Sequence, residues 1–139
     1  MITIIDEQFR TDKDFYLEKL KGITRELGIA GDIVIKLGDK EEGRELNKKY
    51  RKKDYPTDVL SFPFNEELPE GYYLGDIFIR FPVAKEQAQE RQITIKEELL
   101  TLMIHGILHL SGYDHERDTG KMNELQEQLV EKHYSRPGE

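Results

Sequence analysis

The chain has 139 residues, 37% hydrophobic and 35% charged, which suits one soluble globular domain and excludes a disordered polyelectrolyte. Its formal net charge of −7 argues against indiscriminate binding to nucleic acid, because a polyanion is repelled at long range. The absence of cysteine removes disulfides, thiolate metal sites and a cysteine nucleophile together, and suits a reducing compartment.

ITII at 2–5 reads as a short strand, and its apolar run is too short for a signal peptide. Helical spacing of Phe15, Leu20, Ile23 and Leu27 predicts a helix over 12–27, with Gly28 as its C-cap. DIVIKLG at 32–38 alternates as a strand, with Ile33, Ile35 and Leu37 on one face. Asp39 stands as the N-cap of a helix running through Leu46 and Tyr50. Pro56 ends that region, DVLSF at 58–62 reads as a buried strand, and Pro63 stops it. A loop rich in Pro, Asn, Glu and Gly leads to a strand at 72–81, where Gly75 signals a bulge or a close backbone approach. Pro82 opens a helix that continues to Gln92. Thr94 with Glu97 makes a capping box for the next helix. Leu99, Leu100, Met103, Ile104, Ile107 and Leu108 make that helix strongly apolar, so it is expected to be central and buried, with Gly112 closing it. Thr101, His105 and Gly106 interrupt the apolar stretch, so it cannot span a bilayer; no membrane association is expected and the protein reads as cytoplasmic. A last helix runs from near Asp118 to His133, with Met122, Leu125 and Leu129 inward, and 135–139 is a frayed tail. The order of elements predicts a single α+β domain over 1–139, a four-stranded mixed sheet with packed helices.

HGILHLSGYDH at 105–115 holds three of the four histidines. His105 and His109 lie one helical turn apart on one face, where their rings can converge. Gly112 permits a chain reversal, and the six-residue tether to His115 reaches up to roughly 20 Å, so His115 can fold back to join them. The pattern HxxxHxxGxxH is that of the zinc-protease helix without its glutamate, and it predicts a zincin-like central metal-binding helix. Three neutral imidazoles suit one zinc ion; nickel, copper and iron also accept imidazole. Three protein ligands leave a coordination position open, as catalytic rather than structural sites do. A satisfied core histidine is the commoner fate of one His on an apolar helix, and His133, without companions, reads as an ordinary surface or helix-end residue. Gly106 stands where a zinc protease carries its general base. The base must then come from elsewhere, or the metal alone must activate water, or the substrate must bring its own nucleophile. A centre of neutral ligands keeps the full +2 charge and favours an anion such as a phosphodiester, and RNA would supply a 2′-hydroxyl.

Lys48, Lys49, Arg51, Lys52 and Lys53 crowd together around Tyr50. The segment reads either as a solvated helix end or as the lining of a nucleic-acid groove. HGILHLSGYDH resembles the signature HGxLHLxGYDH of the bacterial YbeY family, metal-dependent endoribonucleases of ribosomal RNA maturation. NKKYRKKDYPTDVLSFPF at 47–64 and LGDI at 74–77 match as well. The resemblance implies that His105, His109 and His115 bind zinc and that Arg51 is important for activity. It implies single-stranded RNA, ribosomal RNA in particular, as substrate, with the ribosome or ribosomal proteins as partners. A guanidinium beside a dication is well made to hold a phosphate through two parallel hydrogen bonds. Asp114 and Asp118 are candidates to take the second N–H of a metal-bound histidine; a turn or cap role suits Asp114 equally, and helix capping is the stronger reading for Asp118. Ser61, Tyr113 and the Gly75–Asp76 step are weaker candidates for substrate contact; strand packing, helix-end packing and a plain bulge are the alternatives. Two rival readings stand beside the nuclease: a ribosome-assembly binding module with structural zinc, and a peptidase-like metallohydrolase of another substrate. Gly106 speaks against the second.

Overall fold

The computed structural model describes residues 1–39, 41, 59–112 and 121–134. In chain order these form β1 (Ile2–Asp6), α1 (Lys13–Leu27), β2 (Asp32–Gly38), β3 (Val59–Leu68), β4 (Gly71–Arg80), α2 (Phe81–Arg91), α3 (Ile95–Leu110) and α4 (Lys121–His133). The sheet order is β1-β2-β4-β3; β1 and β2 run parallel, β2 and β4 run parallel, and β3 is antiparallel to β4. The arrangement is the expected α+β fold with a four-stranded mixed sheet. The helix predicted to start at Asp39 falls almost wholly outside the described residues, as does 135–139.

Strand register puts Ile4, Ile35, Ile77 and Ser61 in one row across all four strands. With Ile33, Leu37 and Ile79 they make the face that packs under α1 and α3, α4 packs against those two helices, and α3 is buried along most of its length. That burial follows from the apolar run inside α3, which has no wholly polar face to turn to water. Among the described residues, no helix is long and apolar enough to cross a membrane.

The helix ends form as local chemistry dictates. Asp12 Oδ1 accepts from Phe15 N at 3.3 Å to start α1, and Gly28 ends it in the left-handed region at φ +70°. Thr94 Oγ1 accepts from Glu97 N at 3.1 Å to start α3. Asp6 at the end of β1 organises the turn before α1: Oδ1 accepts from Gln8 N and Phe9 N, Oδ2 from Thr11 N and Thr11 Oγ1. Burial raises the Asp6 carboxyl, but these four donors outweigh it and hold the group below its ordinary value.

β4 and α2 each begin and end one residue earlier than expected, and two further boundaries differ. β3 does not stop at Pro63 but continues to Leu68, and Glu66, Glu67 and Leu68 pair with Tyr73, Tyr72 and Gly71. The physical reason is position: β3 is an edge strand, so the N–H that proline lacks costs no inner ladder bond. The register shift between Pro63 and Glu66, with Asn65 at φ +51°, absorbs the misfit. α3 is capped by Ser111 rather than Gly112; Ser111 Oγ donates to Ile107 O at 2.7 Å, and Gly112 follows at φ +103°.

Candidate metal centre

His105 and His109 occupy the last two turns of α3, their ring centroids 4.7 Å apart and their planes at 63°. Both are half-buried, while Ile104, Ile107 and Leu108 around them are fully buried. The two rings are therefore adjacent, as their spacing on the helix predicts. His109 also stands in the last turn, where the negative end of the helix dipole favours a cation.

The helix is seated by two glycines. A Cβ built on Gly106 would lie 2.7 Å from Ile77 Cδ1 and 2.9 Å from its Cγ1 and Cγ2. A Cβ on Gly75 would lie 2.5 Å from Phe62 O and 2.7 Å from Leu110 Cδ2. So α3 presses Gly106 onto Ile77 and Leu110 onto Gly75, four residues apart on the helix and two on the strand. These spacings are commensurate, at about 6 Å along a helix and about 7 Å along a strand. His105 and His109 each precede one of these contacts by a single residue. They are thereby turned about 100° around the axis from the row that touches the sheet. Gly75 thus serves close packing by α3, and β4 also bulges there, where Asp32 pairs with Tyr73 and Ile33 with Gly75.

His105 Nδ1 lies 2.8 Å from Gln126 Oε1 on α4. An amide oxygen only accepts, so a hydrogen bond at this contact requires the ring proton on Nδ1. Gln126 was not legible as a site residue, because the contact is made between helices. The donor chemistry fits a borderline cation such as zinc, whose imidazole ligands bind through a neutral ring nitrogen.

Of the other candidates, Lys48, Lys49, Arg51, Lys52, Lys53, Tyr113, Asp114, His115 and Asp118 lie outside the described residues. Among the described residues no group of three His, Cys, Asp or Glu side chains comes together as a metal site. Ser61 is buried at the end of the row under α3, and Asp76 accepts a hydrogen bond from Tyr73 OH. That bond and burial together push the Tyr73 phenol up, burial first. His133 is engaged elsewhere: its Nε2 lies 3.3 Å from Glu26 Oε1, which also accepts from Lys132 Nζ at 2.7 Å. A groove of about 560 Å³, with Ile5, Val34, Lys36, Phe62, Asp76 and Phe78 among its walls, includes neither histidine of the pair.

The sequence matches the family model described as Endoribonuclease YbeY over residues 4–134. It is 46% identical over 125 residues to the endoribonuclease YbeY of Sulfurihydrogenibium sp., covering 86% of this chain and 82% of that one. It is 44% identical over 129 residues to that of Nautilia profundicola, covering 93% and 91%. Among solved structures, the solution structure of TM1509 from Thermotoga maritima superposes with a TM-score of 0.69 at 34% identity, covering 100% of this chain and 99% of that one. With the fold matched end to end and the sequence matched over nearly its whole length, the chain belongs to the YbeY endoribonuclease family.

Proposed function

We propose that this chain is a zinc-dependent endoribonuclease that cuts single-stranded RNA during ribosomal RNA maturation and ribosome quality control. Family membership makes it a hydrolytic endoribonuclease; the finer reading rests on the site. The observation that supports it is the His105–His109 pair, one helical turn apart, with Nδ1 of His105 2.8 Å from Gln126 Oε1. His105, His109 and His115 would hold the ion. Bound there, zinc supplies Lewis acidity toward a phosphoryl oxygen and a lowered pKa for water. Arg51 has the role of phosphate clamp, its guanidinium donating two parallel hydrogen bonds to non-bridging oxygens and stabilising the charge that builds on them. Lys48, Lys49, Lys52 and Lys53 add attraction for the RNA backbone on an otherwise acidic protein. Ribosomal RNA, the ribosome and ribosomal proteins are the corresponding partners.

A peptidase is disfavoured on packing grounds. Position 106 faces Ile77 in the core, so the place of the protease glutamate is filled by the sheet. The test is metal content of untagged protein measured beside cleavage of single-stranded RNA. Wild type should carry stoichiometric zinc and cut. His109→Ala should lose both, and Arg51→Ala should keep zinc and lose cleavage. Undiminished cleavage by chelator-stripped protein overturns the zinc mechanism. RNA binding without turnover in zinc-loaded wild type would instead support the binding module.

A further inference from the structure

α4 docks through Met122, Leu129 and Val130, all buried. Gln126 falls inside that stripe, at the fourth position from Met122 and the third before Leu129. A polar side chain in a packing stripe is costly to bury unless it is hydrogen-bonded. Here its carbonyl oxygen meets Nδ1 of His105 across the α3–α4 interface at 2.8 Å. An alkyl side chain would pack as well at that place; an amide adds direction.

We propose that Gln126 is a positioning residue, which locks His105 in the Nδ1–H tautomer so that Nε2 offers its lone pair to a divalent cation. The proposal rests on the metal-centre reading above. Without an acceptor at 126, the ring divides between two tautomers and two flipped orientations, and only part of that population presents Nε2 to the ion. Outer partners of this kind are worth about 10–100-fold in metal affinity. The same contact ties α4 to the metal helix, so the last helix has a part in the site as well as in the core.

The test compares wild type with Gln126→Met, which keeps volume and removes the acceptor, and Gln126→Glu, which keeps an acceptor. Long-range proton–nitrogen correlation spectra of chelator-stripped protein, at about pH 8 where imidazoles are neutral, report the tautomer directly. Zinc affinity is read by calorimetric titration, and urea unfolding checks that each variant is folded. The expected result is Nδ1–H for His105 in wild type, mixed tautomers and zinc binding weakened about 10–100-fold in Gln126→Met, and recovery in Gln126→Glu. Nε2–H for His105 in wild type overturns the proposal and needs no variant. Wild-type zinc affinity in folded Gln126→Met overturns it too. If wild type shows Nδ1–H but takes up no zinc, the metal-centre reading itself fails and the positioning role falls with it. If wild type takes up zinc with the other tautomer, the centre stands and Gln126 alone is dismissed.

Discussion

Replacing Gly106 with alanine sets two opposed effects against each other in the middle of α3. Alanine in a helix interior is favoured over glycine by about 1 kcal/mol. Against this, the new Cβ would stand 2.7 Å from Ile77 Cδ1 and 2.9 Å from Cγ1 and Cγ2. Ile77 is 1% exposed, and its two γ carbons branch from one stiff Cβ, so it cannot swing clear of one contact without worsening another. Overpacking of this kind costs about 1–3 kcal/mol. Three simultaneous contacts belong in the upper part of that range, leaving a net loss of about 1–2 kcal/mol. In an Ile77→Ala background all three offending atoms are gone, and the same substitution should become stabilising by about 1 kcal/mol. The expected coupling between the two sites is therefore about 2–3 kcal/mol. The cost of Ile77→Ala itself, about 2–5 kcal/mol, is common to both members of that comparison and drops out. Urea unfolding of the four proteins, followed by far-ultraviolet circular dichroism because the chain has no tryptophan, measures the cycle. If Gly106→Ala stabilises the wild-type background, or if the coupling is below about 0.5 kcal/mol, the seating of α3 on Ile77 is not what selects glycine.

Gly75→Ala should be worse than Gly106→Ala, at or above about 3 kcal/mol, because its nearest obstacle is a backbone oxygen, Phe62 O at 2.5 Å, which cannot rotate away; a smaller loss by urea unfolding would contradict this ordering. Asp6→Asn should cost about 1–3 kcal/mol at neutral pH, since an amide nitrogen cannot accept from Thr11 N and Thr11 Oγ1. The Asp6 carboxyl titrates below its ordinary value of 3.8 in the folded protein, so the unfolded chain binds more protons in that window. Its contribution is complete above the ordinary value and disappears as pH falls through the lowered one. The stability gap between wild type and Asp6→Asn should narrow on acidification, and a constant gap would show that the carboxylate charge is not involved.

Much of the fold was legible because the deciding interactions are local. Alternation placed β2, Gly28 stopped α1, and Thr94 started α3, each through atoms within a few residues. The limits of β3 were not legible, because a proline's effect depends on whether its strand lies at an edge, which only the assembled sheet decides. Burial of charge was also missed. Glu98 is fully buried against Arg91 at 3.3 Å, and Arg80 is 1% exposed, although neither stands out in the sequence from charged residues at the surface. Of the site, the His105–His109 pair was visible from helical spacing alone. Gln126 was not, because 21 residues and an interhelical contact separate it from His105.

The glycine after the first histidine links the packing of α3 to its chemistry. Chemistry and packing share α3 in two registers offset by one residue: 105 and 109 carry imidazoles, while 106 and 110 carry the contact with β4. On this helix the position that a zinc protease gives to its base belongs to the packing register. A carboxylate there would be driven into Ile77 and would lose its hydration without gaining a partner. Peptidase chemistry by that route is thus closed by the way the helix lies on the sheet, and reopening it would require rebuilding β4. What the C-terminal end of α3 presents, among the described residues, is a pair of half-buried imidazoles, a donor set that would favour a cation. A substrate that supplies its own negative charge, and whose neighbouring hydroxyl is a ready nucleophile, would suit a metal centre built on that pair better than a neutral amide would, and RNA meets both conditions.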